Sequence, residues 1–82
     1  MHVLITGAAS GIGYALMNEF ISHDHFVIGL DINEIKNEKC LTFKCDITNE
    51  ESLSSILNEL KRKEIKLDAI VNIAGVHLMA SL

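Results

Sequence analysis

The sequence of 82 residues contains no proline, and only two of its residues are cysteines. Hydrophobic residues make up 49% and charged residues 22%, which is typical of a soluble globular segment rather than a disordered or fibrous one. Cys40 and Cys45 do not form a CxxC pair, and an odd separation within one strand directs side chains to opposite faces. That argues against a disulfide or a shared metal, so we expect no metal site. Two unpaired cysteines are typical of the reducing cytoplasm, where we expect the protein.

Positive charge is also scarce. The formal net charge is −4, and the basic residues cluster only in "KRK" at 61–63, which argues against nucleic acid or an anionic membrane as the main partner. The run "VLITGAASGIGYALM" lacks a basic leader and is interrupted by polar residues and glycines, so we expect neither a targeting segment nor a membrane span. A chain of this length buries only about 60% of its unfolded surface, which allows one domain at most, with a marginal core.

Short apolar runs alternate with segments of helical spacing. The runs at 2–6, 26–30, 41–45 and 67–75 predict buried strands. A helix is predicted from residue 11 to about residue 23, while residues 32–40 indicate only a turn or a loop. The apolar residues at helical spacing in this first helix are Ile12, Ala15, Leu16 and Phe20.

The signals for a second helix begin at Thr48, which forms a predicted capping box with Glu51. The segment "KRK" would close its last turn, where cations favour the helix dipole. Its predicted apolar face consists of Leu53, Ile56, Leu57 and Leu60.

Strands that alternate with helices predict an α/β fold with right-handed crossovers. We expect a Rossmann-like, doubly wound parallel sheet of about four strands in the order 3-2-1-4. The fourth strand would then lie at an edge of the sheet with its apolar residues uncovered. It is followed in the sequence by the apolar segment "VHLMASL" rather than by an element that would cover it. We therefore expect residues 1–82 to be a truncated Rossmann half-domain that belongs to a homo-oligomer.

The segment "TGAASGIG" at 6–13 contains three glycines between the first strand and the first helix. Free N–H groups at a helix start favour an anion, and glycine lets a pyrophosphate approach the backbone. Asp31 ends the second strand, about 20 residues after the glycines. An acidic residue at this position can accept a hydrogen bond from an adenosine ribose. The alternative is that the glycines only shape a tight turn and that Asp31 only ends a strand.

These positions resemble the amino-terminal, cofactor-binding half of the short-chain dehydrogenase/reductase family, whose glycine motif is TGxxxGxG. Thr6, Gly7, Gly11 and Gly13 match that motif, and "CDI" at 45–47 and "NIAG" at 72–75 match further positions. By this resemblance, Asp31 would hold the ribose hydroxyls, Asp46 and Ile47 would border the adenine, and residues 72–75 would line the cofactor cleft. Ile73 departs from the family's usual NNAG. The cofactor-binding residues implied are Gly7, Ser10, Gly11, Ile12, Gly13, Asp31, Asp46, Ile47, Asn72, Ala74 and Gly75.

The acidic side chain of Asp31 favours NAD over NADP, because a 2′-phosphate would meet a like charge. Members of the family that prefer NADP often place a basic residue just before the second glycine or after the acidic position. Here those positions are Ser10 and Ile32, and neither is basic.

The resemblance implies an oxidoreductase that transfers hydride between nicotinamide and an alcohol or carbonyl substrate. The family's proton-transferring Tyr-x-x-x-Lys is not present, because the one tyrosine is Tyr14 and residue 18 is Asn. We expect Tyr14 to pack, assign no catalytic residue to His77 or Ser81, and expect the 82-residue chain alone to be inactive. The alternative is a non-catalytic dinucleotide-binding or interaction module that pairs through its fourth strand.

Overall fold

The structure is a computed structural model that describes residues 1–73, in which strands and helices alternate. The elements are β1 (His2–Thr6), α1 (Gly11–Ser22), β2 (Phe26–Asp31), β3 (Leu41–Lys44), α2 (Glu50–Arg62) and β4 (Ala69–Asn72). The strands are parallel and lie in the order β3-β2-β1-β4. The predicted fold class and strand order are therefore confirmed.

The sheet separates two hydrophobic clusters, because successive side chains of a strand point to opposite faces. On one face, Val3 and Ile5 of β1 pack with Met17 of α1. On the other face, Leu4 of β1 packs with Leu60 of α2. Cys40 packs against the first cluster and Cys45 belongs to the second, and both thiols are free. The predicted placement of the two cysteines on opposite faces is correct.

The buried face of α1 differs from the predicted one. Gly13 and Met17 are buried, whereas Ala15 is exposed and Ile12 is 72% exposed. Leu16 and Phe20 do lie against the core, as predicted. The face begins at residue 13 rather than residue 12 because the backbone of Gly13 itself packs closely against residues 7 and 8.

The predicted capping box of α2 is wrong by one residue. Asn49 is the N-cap, and its side-chain oxygen accepts a hydrogen bond from the Ser52 N–H (3.1 Å). The Thr48 hydroxyl instead donates to Asp46 Oδ1 (2.6 Å). The first turn contains two acidic residues and the last turn two basic ones, an arrangement that favours the helix dipole. Neither α1 nor α2, the helices of the described residues, is long and apolar enough to cross a membrane.

The fourth strand is shorter than predicted at its start. Leu67 and Asp68 precede β4, and Leu67 packs against the α2-side cluster. The Asp68 N–H donates to the His2 carbonyl (2.8 Å), and the Asp68 carboxylate accepts from the His2 N–H (2.7 Å). This pair of hydrogen bonds fixes the chain just before the ladder between β1 and β4 begins. Ala74 and Gly75, which were predicted to end the strand, lie outside the described residues.

Candidate functional site

The carboxyl ends of the four parallel strands meet at one edge of the sheet, where open α/β sheets bind ligands. Gly7 follows β1, Asp31 ends β2, Asp46 follows β3 and Asn72 ends β4. The order of the strands reverses between β1 and β4. The structure thus brings these predicted site residues to one edge of the sheet. Ala74 and Gly75, which were also predicted, lie outside the described residues.

The glycines of the loop between β1 and α1, residues 7–13, have different surroundings. Gly7 has a φ of 74°, a conformation that favours glycine. A Cβ on Gly13 would lie 2.8 Å from the Gly7 carbonyl carbon and closer still to its oxygen. Apart from the local backbone of α1, a Cβ on Gly11 would meet no atom of residues 1–73 within 4 Å. Gly7 and Gly13 are therefore required by the fold of the loop, whereas Gly11 borders open space.

The amino end of α1 is arranged differently from that of α2. Ser10 occupies the cap position, but its hydroxyl donates to the Gly7 carbonyl (2.7 Å) and makes no capping bond to the helix. The first turn of α1 contains no acidic residue. Since the first N–H groups of a helix lack partners within it, α1 can offer them to an anion, together with the positive end of its dipole.

Asp31 lies beside the glycine-rich loop. Its Oδ2 accepts from the Ala9 N–H (3.0 Å), and its Oδ1 accepts from the Asn33 N–H (2.9 Å). The carboxylate is half-buried. The contact with Ala9 was not predicted, because it depends on the register of β1 and β2, in which Thr6 pairs with Leu30. That register places residue 31 level with the start of the loop.

Asp46 and Ile47 lie next to each other but face different surroundings. Asp46 is exposed, and hydrogen bonds from the hydroxyl and the N–H of Thr48 lower the pKa of its carboxyl. These bonds hold the carboxylate at the start of α2. Ile47 is half-buried and lines a groove of about 310 Å³ on the α2 side of the sheet. The other residues that line this groove are Leu4, Thr6, Leu53, Leu57, Ile70 and Asn72.

Thr6 and Asn72 join the ends of β1 and β4. The buried Thr6 hydroxyl donates to Asn72 Oδ1 (2.6 Å), and the Ile73 N–H donates to the Thr6 carbonyl (3.2 Å). The Ile73 side chain packs against the α1-side cluster. An apolar contact therefore occupies the position at which the family usually has a second asparagine. Thr6 belongs to the predicted motif, but its hydrogen bond to Asn72 was missed because the register of β4 is a tertiary feature.

Tyr14 connects α1 to the loop at 32–40. Its hydroxyl donates to the Lys36 carbonyl (3.1 Å), and Asn37 donates to the Asn18 side chain one turn further along α1 (3.0 Å). Tyr14 is thus an anchor for the loop rather than only a packing residue. His77 and Ser81 lie outside the described residues, and residues 1–73 contain no group of three or more His, Cys, Asp or Glu side chains placed to hold a metal.

Comparison with known proteins identifies the family. The family model described as short chain dehydrogenase matches residues 1–82. The chain belongs to the short-chain dehydrogenase family. An NAD-dependent glycerol dehydrogenase of Listeria innocua is 36% identical over 84 residues, a match that covers 93% of this chain and 33% of that relative. The chain thus spans about a third of the length of this curated relative.

Two solved structures of dehydrogenases share the fold. The ligand-free aldohexose dehydrogenase of Thermoplasma acidophilum gives a TM-score of 0.79 at 28% identity, covering 87% of this chain and 28% of that one. A short-chain dehydrogenase of Leptospira borgpetersenii with bound NAD+ gives a TM-score of 0.78 at 29% identity, covering 87% of this chain and 30% of that one. Both TM-scores support the observed fold.

Proposed function

We propose that this chain binds NAD at the carboxyl edge of its sheet, as the cofactor-binding part of an oxidoreductase that transfers hydride between nicotinamide and an alcohol or carbonyl substrate. The observation that supports this most directly is the environment of Gly11. Apart from its chain neighbours and the backbone of its own helix, no atom of residues 1–73 lies within 4 Å of the position that a Cβ would take there, so packing among these residues does not require glycine. The approach of a pyrophosphate to the backbone at a helix start does require it.

Asp31 supports NAD rather than NADP as the cofactor. A ribose 2′-hydroxyl can donate to its half-buried carboxylate, whereas a 2′-phosphate would be repelled. Ser10 and Ile32 provide no positive charge that could offset this repulsion. Two similar proteins point the same way, since the Listeria relative is named NAD-dependent and the Leptospira structure contains NAD+.

The substrate class follows from the family and from the names of similar proteins, which are dehydrogenases of glycerol and of an aldohexose. Both names support an alcohol as the reduced substrate. The Tyr14 hydroxyl is engaged with the Lys36 carbonyl, so the proposal assigns cofactor binding to these residues and proton transfer to none of them. The free thiols of Cys40 and Cys45 support the cytoplasm as the compartment.

The proposal is tested by titrating NAD and NADP into the 82-residue chain and into its Gly11→Ala variant, with binding measured by calorimetry. We expect NAD to bind more tightly than NADP. Gly11→Ala should weaken NAD by about tenfold or more without lowering the melting temperature of the ligand-free chain, because the added methyl group enters open space.

Ser55→Ala is the control, because Ser55 is exposed on α2, away from the loop. This variant should match the parent chain in both affinity and melting temperature. A folded chain that binds neither dinucleotide contradicts the proposal, and so does a Gly11→Ala variant that retains the NAD affinity of the parent.

A further inference from the structure

The first half of the glycine-rich loop is held to the end of β2 by two hydrogen bonds. The Ala8 N–H donates to the Leu30 carbonyl (3.2 Å), and the Ala9 N–H donates to Asp31 Oδ2 (3.0 Å). The first bond is between backbone groups and would survive any substitution that keeps the fold. The second bond depends on the identity of residue 31.

We propose that Asp31 is a positioning residue for the glycine-rich loop, in addition to its role as an acceptor for the ribose. Its role in ligand binding rests on the function proposed above. Its hold on the loop does not, because the contact with Ala9 joins two groups of the chain itself.

The carboxylate of Asp31 has enough acceptor capacity for both roles. An ionised carboxylate offers about four lone-pair sites, and the N–H groups of Ala9 and Asn33 take one on each oxygen. Hydrogen bonds to an ionised acceptor are stronger than those between neutral groups. The remaining sites are available to ribose hydroxyls.

The loop needs such a tether because Gly7 and Gly11 give it backbone freedom. Freedom that is removed before a ligand arrives does not have to be lost on binding, so a tethered loop binds more tightly. Fixing Ala9 fixes the peptide that leads into Ser10 and the first turn of α1, which is the proposed pyrophosphate site.

Removal of the Asp31 side chain would affect anion binding in two opposite ways. If the carboxylate acts only through its charge, its removal should strengthen the binding of a second anion nearby. If it positions the loop, its removal should weaken that binding. Inorganic pyrophosphate distinguishes the two cases, because it has no ribose and cannot report on the ribose contact.

The experiment compares the 82-residue chain with Asp31→Ala and Glu34→Gln. Glu34 is an exposed carboxylate three positions further along the chain, so its variant removes the same charge from the same region without touching the Ala9 bond. Hydrogen exchange of the backbone amides is measured by NMR in the ligand-free chain, and the affinity for inorganic pyrophosphate is measured by NMR titration.

We expect the Ala9 amide of the parent chain to be protected and its exchange to accelerate by about tenfold or more in Asp31→Ala, while the Ala8 amide changes much less. Pyrophosphate affinity should fall in Asp31→Ala by about threefold or more. In Glu34→Gln it should stay the same or rise slightly.

An unprotected Ala9 amide in the parent chain would overturn the inference without any variant. Pyrophosphate binding that is unchanged or tighter in Asp31→Ala would also overturn it. If the parent chain binds neither pyrophosphate nor NAD, while Ala9 exchange still accelerates in Asp31→Ala, the positioning role is supported and the proposed function is contradicted.

Discussion

Gly11 and Gly13 are two positions apart in α1, yet substitution by alanine should affect them in opposite ways. A Cβ at Gly13 would lie 2.8 Å from the Gly7 carbonyl carbon and 3.2 Å from Ala8 Cα, and backbone atoms cannot move aside cheaply. We expect Gly13→Ala to lower the free energy of unfolding by about 1–3 kcal/mol. Gly11→Ala should leave it unchanged or raise it slightly, because alanine is the better helix former. Urea unfolding of both variants measures the difference.

The comparison has an internal control, because both substitutions add the same methyl group to the same helix. For a domain of this size, each kcal/mol corresponds to about 4–8 °C in melting temperature, so the two variants should be clearly separated. Equal melting temperatures would show that Gly13 is not required by the packing of α1 against the loop.

The glycine-rich motif gave Gly11 and Gly13 the same predicted role in cofactor binding. It could not show which of them is required by the packing of the chain. The spacing in "TGAASGIG" indicates a loop that enters a helix, which the structure confirms. Whether a glycine faces the Gly7 carbonyl or open space depends on how α1 packs against the end of β1. The same limit applies to Asp31, whose contact with Ala9 depends on the strand register.

At the scale of elements, the edge strand β4 is attached to β1 by a hydrogen-bonded pair just before the ladder. The His2 N–H donates to the Asp68 carboxylate, and this bond is the main cause that lowers the pKa of Asp68. The charges of His2, the amino terminus and Lys66 lower it further. A carboxyl whose pKa is lower in the folded than in the unfolded chain stabilises the fold above its unfolded pKa.

The free energy of unfolding should therefore fall in acid, from about pH 4 downwards, as Asp68 is protonated. Asp68→Asn should remove part of this dependence, so that the parent and the variant differ most near neutral pH and converge below the folded pKa. Urea unfolding across this range measures it. Lys66→Gln is the matched control and should have a smaller effect, because Lys66 is the weakest of the causes. A difference that widens towards acid would contradict the assignment.

The sequence predicted which elements occur, their order and where the first four of them begin, but it misplaced the starts of α2 and β4. Thr48 and Asn49 are both good capping residues, and in the folded chain Asn49 caps α2 while the Thr48 hydroxyl donates to Asp46. The start of β4 was predicted too early, because the apolar Leu67 packs against the α2-side cluster rather than extending the strand. Such competition between neighbouring partners is not visible in local periodicity.

For the whole molecule, strand order followed from the alternation of strands and helices together with right-handed crossovers. The apolar groove on the α2 side could not be predicted from the sequence, because it depends on how far α2 lies from β4. Ile70 of β4 is 65% exposed and lines this groove, together with Leu53 and Leu57 of α2. Parallel sheets are normally covered on both faces. Within residues 1–73, this face of β4 remains accessible.

The accessible face should make the 82-residue chain associate with itself. Ile70→Lys should weaken that association by about tenfold or more, because burial of an isoleucine side chain contributes about 1.5–3 kcal/mol and lysine at a sheet edge opposes pairing. Ile32→Lys is the matched control, since Ile32 is 64% exposed and follows β2, away from the groove. Sedimentation velocity over a range of concentrations measures the association of all three chains. Equal sedimentation of the parent chain and Ile70→Lys would show that this face does not mediate association, whereas an equal loss in Ile32→Lys would attribute the effect to net charge rather than to the groove.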